Sequence, residues 1–89
     1  MTLKLYRYHE DFGRMGYLSG TFVADDKDVA KVFDDSVYLG EVLGKHSDIN
    51  AYIDDKTLTI LTDDQDFIRK FLMYQCGSGH NPVAAFLEQ

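Results

Sequence analysis

The run from Val37 to Asp64 constrains the fold more than any other part of the chain. It reads VYLGEVLGKHSDINAYIDDKTLTILTDD, three apolar or β-branched runs separated by turn-forming residues. Val37–Leu43, Asp48–Ile53 and Thr57–Leu61 each suit a strand. Ile49, Ala51 and Ile53 recur at every second position, the period of a half-buried strand. Asp54-Asp55-Lys56 suits a tight turn. Gly44-Lys45-His46-Ser47 is a short basic connection.

The flanking segments extend this pattern. Thr2–Tyr8 alternates, with Leu3 and Leu5 on one side and Lys4, Tyr6 and Tyr8 on the other, and reads as a strand. His9–Gly16 is a connection, with Gly13 and Gly16 suited to a turn. Tyr17–Ala24 is a second strand paired antiparallel with the first. Gly20 inside it marks a bulge or a close approach. Asp25-Asp26-Lys27-Asp28 caps a short helix whose Val29, Val32 and Phe33 share one face. Thr62–Asp66 caps another, whose stripe of Phe67, Ile68, Phe71 and Leu72 is expected against Leu5, Leu39, Ile53 and Ile60 or their strand neighbours. Cys76–His80 is a loop. Asn81-Pro82 supplies an N-cap and a first-turn proline for a last short helix carrying Val83, Phe86 and Leu87.

The element order is β-β-α-β-β-β-α-α. It predicts one α+β domain over residues 1–89, an antiparallel sheet of about five strands with two or three short helices packed on one face. At 89 residues the core is modest and stability marginal.

The formal net charge of −6 argues against direct nucleic-acid binding by phosphate neutralisation, which needs a basic face. The charge is uneven. Residues 1–23 hold three bases against two acids, and the remainder holds six against thirteen. A surface mimicking DNA would place acids without regard to capping. Here ten of the twelve aspartates stand at helix starts or turns, where local backbone hydrogen bonding accounts for them. No run approaches the ~20 apolar residues needed to cross a bilayer. The start MTLKLYRYHE lacks the apolar stretch of a signal peptide. With the lone Cys76, these features point to a cytoplasmic protein.

Chemistry-bearing motifs are sparse. Cys76 and His80 have a zinc-like spacing but lack two further ligands. Asp63-Asp64-Gln65-Asp66 lacks the glycine and the glutamate of a calcium loop. Neither Ser47 beside His46 nor Ser78 near His80 sits in a nucleophile elbow. No metal, cofactor or catalytic set is therefore expected. Two surface sites remain. The first joins the connections Phe12–Tyr17 and Gly44–Ser47 in one patch of Phe12, Arg14, Tyr17, Lys45 and His46, with Met15 beside them. Such residue types suit a protein interface. The second is an anion site on the loop Gly77, Ser78, Gly79, His80 and Asn81, ahead of a helix start.

Phe12-Gly13-Arg14-Met15-Gly16, Tyr38–Ser47, Asp64–Ile68 and Asn81-Pro82 together resemble small uncharacterised proteins of bacteria and their phages. The resemblance implies a cytoplasmic accessory protein that binds and modulates or inhibits a host protein. The expected function is accordingly non-enzymatic protein binding, with a homodimer allowed. The alternative is an anion-binding oligomer using the Gly77–Pro82 loop.

Overall fold

Two antiparallel sheets divide the strands. The computed structural model describes residues 2–44 and 48–89. Among them, β1 (Leu3–Asp11), β2 (Tyr17–Asp25), β5 (Leu58–Thr62) and the two-residue β6 (Ser78–Gly79) form one sheet in the order β5-β1-β2-β6. β3 (Asp35–Gly40) and β4 (Ile49–Ile53) form a separate ribbon. The helices are α1 (Asp26–Val32), α2 (Gln65–Met73) and α3 (Pro82–Leu87). The expected α+β class with antiparallel strands is what the structure shows. Among the described residues the strands number six, close to the expected five, and they are split between two sheets rather than joined in one.

Aspartates place the boundaries. Asp25 accepts from Lys27 N at 3.0 Å and caps α1, while Asp64 accepts from Asp66 N and Phe67 N at 3.1 and 3.4 Å and caps α2. Asp54 Oδ1 takes the backbone N–H groups of Lys56 and Thr57 at 2.9 and 3.1 Å, closing the turn into β5. These carboxylates satisfy donors that a helix start or turn leaves orphaned.

Strand alternation gives the large sheet two different faces. Tyr6, Tyr8, Leu18, Phe22 and Leu58 point into the main core, where they meet Val29 and Val32 of α1, Val37 of β3, Ile49, Ala51 and Ile53 of β4, and Val83 of α3. Leu3, Leu5, Arg7 and His9 take the opposite face. Among the described residues α2 is the helix packed on it, crossing from β5 at one edge to β6 at the other and burying Ile68 while Leu5 is buried on the sheet beneath. Of the expected stripe, Ile68 is buried and Phe71 half-buried, while Phe67 and Leu72 are exposed. Ile53 packs in the main core and Leu39 against it, not under α2.

Glu10 joins the two sheets. Its Oε1 accepts from the Tyr8 hydroxyl and from Tyr52 N, both at 2.8 Å. Burial first, then the Glu10 hydrogen bond, pushes the Tyr8 pKa far above the ordinary 10.0. Tyr6 moves the same way, chiefly through burial. Unfolded tyrosines ionise near the ordinary value while these two keep their protons. The native state then binds more protons than the unfolded state, so stability falls as pH rises through and beyond about 10. Tyr8→Phe is expected to cost roughly 1 kcal/mol at neutral pH and to flatten that alkaline fall. Urea melts at neutral and alkaline pH check both parts. An equally steep fall in the variant would remove Tyr8 as its source.

Candidate functional site

β5 is an edge strand without charged protection. Its sequence, LTILT, has no charge and no proline, two of the devices that keep an edge from pairing; it is five residues long, and its ladder with β1 shifts register between Tyr6 and Leu5. The outer side pairs with no strand among the described residues. His9 N donates to Thr57 O at 2.8 Å, and the register pairs Arg7 with Thr59 and Tyr6 with Ile60. Hydrogen-bonded and non-bonded pairs alternate in an antiparallel ladder, so Ile60 carries its N–H and C=O on the outer side. The outward N–H of Leu58 is already used by Asp54 O at 3.0 Å.

An apolar cleft lies on each side of this edge. On the core side Tyr6, Val29, Phe33, Leu58 and Ile60 line about 360 Å³. On the α2 side Leu5, Leu61 and Phe67 line about 370 Å³ with Thr62 and Asp64. Ile60 is 55% exposed, Leu61 48% and Phe67 52%. The apolar surface continues along α2 through Leu72, Met73 and Tyr74, all half-exposed or more. Acids border it: residues 54–66 hold five aspartates and Lys56 as the only base.

The residues expected in the first patch are only partly brought together. Phe12 is half-buried and packs onto the main core. Arg14 and Met15 are exposed in a 3-10 turn over Gly13–Met15. Tyr17 opens β2, exposed, its ring 5.3 Å from that of His9. The connection after β3 does approach this turn, since a Cβ on Gly16 would sit 3.7 Å from Leu43 Cδ2. Lys45 and His46 lie outside the described residues.

Most of the residues of the second expected site are taken up by secondary structure. Ser78 and Gly79 form β6, paired with Thr21 and Gly20. His80 N donates to Ser19 O at 2.9 Å, and Asn81 spends its side chain on Ala84 N at 3.0 Å, capping α3. Ser78 and Gly79 nevertheless border a different cleft of about 350 Å³, with Arg7, His9, Tyr17, Ser19, Gly20 and Thr21. Arg7 and His9 were hidden in the sequence because they continue the strand phase of Leu3 and Leu5. Only the break from apolar to polar residues at that phase could have signalled them.

Among the described residues no three His, Cys, Asp or Glu side chains converge as metal ligands, and no helix is long and apolar enough to cross a membrane. No protein-family model matches the chain, and no curated protein or solved structure is similar to it.

Proposed function

We propose that this domain is a non-enzymatic binding module that takes an extended segment of a partner protein onto the outer edge of β5. The observation that carries this reading is the uncharged, proline-free edge with an apolar cleft on each face. Strand addition uses both features. Backbone hydrogen bonds supply affinity, and side chains that alternate between faces enter the two clefts.

Charge selects the occupant. A second copy pairing antiparallel about Ile60 would lay Asp54-Asp55 beside the partner's acidic turn into α2, with only Lys56 to relieve the repulsion. Like-charge contacts of that kind disfavour self-pairing. A segment with alternating apolar residues and basic flanks suits the same edge. Such a module acts by occupancy, modulating or inhibiting the protein whose strand it holds, in a cytoplasm that keeps the exposed Cys76 reduced.

The test is an amide-resolved NMR titration with a blocked octapeptide alternating valine and lysine. Saturable shifts are expected on β5 and α2, with slower hydrogen exchange at Ile60 N–H. A valine–glutamate peptide should not bind. Ile60→Lys should weaken binding more than about tenfold with little change in melting temperature, since the side chain is already half in water. Equal binding by both peptides, undiminished binding by Ile60→Lys, or a dimer of the free protein paired through β5 would each overturn the reading.

A further inference from the structure

The cleft beside Arg7 is independent of the β5 edge and carries its own ligand chemistry. Its existence follows from the way α2 crosses the strands. A helix with its side chains is roughly 10–12 Å wide, while β1, of nine residues, spans roughly 30 Å. The helix therefore covers the Leu5 end of this face and leaves the Arg7 and His9 end open.

The uncovered side chains are donors. Register places Thr59, Arg7, Thr21 and Ser78 in one row across all four strands of the sheet. His9 and Ser19 form the next row, and Tyr17 closes the end against His9. The surface forms an open cleft of about 350 Å³, at the low end of the size of small-ligand sites. Among the described residues the ion pairs are Lys4–Asp26 and Lys31–Asp28, so no carboxylate of an ion pair occupies the Arg7 guanidinium. Asp11, the acid that shares this face of β1, accepts from Gly13 N at 2.8 Å. The Glu10 carboxylate lies on the other face, held by Tyr8 and Tyr52.

We propose that this cleft binds a small oxyanion, a phosphate or carboxylate group, with the Arg7 guanidinium as its anchor. The planar fork of arginine matches two oxygens of such a group. The flanking hydroxyls of Thr21, Ser19 and Ser78 can donate to the remainder, and His9 offers a ring N–H. Because the whole chain is negative, recognition rests on these short-range bonds rather than on long-range attraction.

Titrating the protein with inorganic phosphate and with acetate, each against sodium chloride at equal ionic strength, tests the assignment by amide shifts. Saturable shifts confined to Arg7, His9, Ser19, Thr21, Ser78 and Gly79 are expected for at least one anion. The tighter of the two identifies the ligand class. Arg7→Gln should weaken binding at least about tenfold with an unchanged melting temperature, and Arg7→Lys should restore only part of it. Ile60→Lys should leave the titration unaltered, which separates this site from the β5 edge. Shifts no larger than those with chloride, shifts spread over the surface, or full binding by Arg7→Gln would overturn the proposal.

Discussion

Ile68→Ala is expected to lower stability by about 2–5 kcal/mol, the range for a buried aliphatic truncated in a core. Leu72→Ala, four residues further along the same helix, is expected to cost under about 1 kcal/mol, since half its surface is already in water. The two side chains look equivalent in the sequence, both within the apolar stripe of α2. The structure separates them because Ile68 is fully buried on the sheet side of α2 while Leu72 is half-exposed at a cleft it shares with Val23 and Phe71. α2 is too short to be stable alone, so its few buried contacts hold it in place. In a domain of this size, a loss near the upper end of that range takes most of the folding free energy. Urea denaturation of the two variants measures the difference directly. Equal losses would mean that α2 lies on the sheet by a different face.

The contrast shows how much of the molecule was legible beforehand. Local signals were readable. Asp25 and Asp64 cap helices, Asn81-Pro82 starts the last one, and Asp54 closes the turn before β5, because each acts on backbone groups within three residues. Long-range choices were not. Tyr6 and Tyr8 alternate with Leu3 and Leu5, and both sets are large and partly apolar, so periodicity alone does not say which side meets the larger core. In the event both sides are covered, Tyr6 and Tyr8 by the main core and Leu5 by α2. Nor does any local feature tell that, among the described residues, β3 and β4 pair only with each other. β6 carries no side-chain signal at all, being Ser-Gly, and exists because of what lies opposite it. The candidate site suffered for the same reason. The edge at Ile60 and the row through Arg7 are properties of strand order and register, while sequence reasoning sought function in the connections.

Gly20→Ala is expected to be among the most damaging single substitutions in the chain. Gly20 stands opposite Gly79 where β2 meets β6. A Cβ at this position would strike the His80 backbone, against its carbonyl oxygen and 2.6 Å from its nitrogen. Backbone atoms cannot turn aside as a side chain can, so the strands must separate. His80 N then loses its 2.9 Å bond to Ser19 O. The displaced segment leads directly to Pro82 and Val83, the buried first residues of α3, and Val83 belongs to the main core, so the disturbance passes into it. Ordinary overpacking costs about 1–3 kcal/mol, and a clash with backbone on this route is expected at or above the top of that range. Gly13→Ala supplies the comparison. That glycine has φ +68° with open space around it, so the substitution meets only local strain, on the order of 1 kcal/mol. Gly20→Ala should therefore lower the melting temperature well beyond Gly13→Ala and should also spoil the Arg7 cleft, whose far wall is β6. A Gly20→Ala variant as stable as wild type would show that residues 78–80 do not pair with β2.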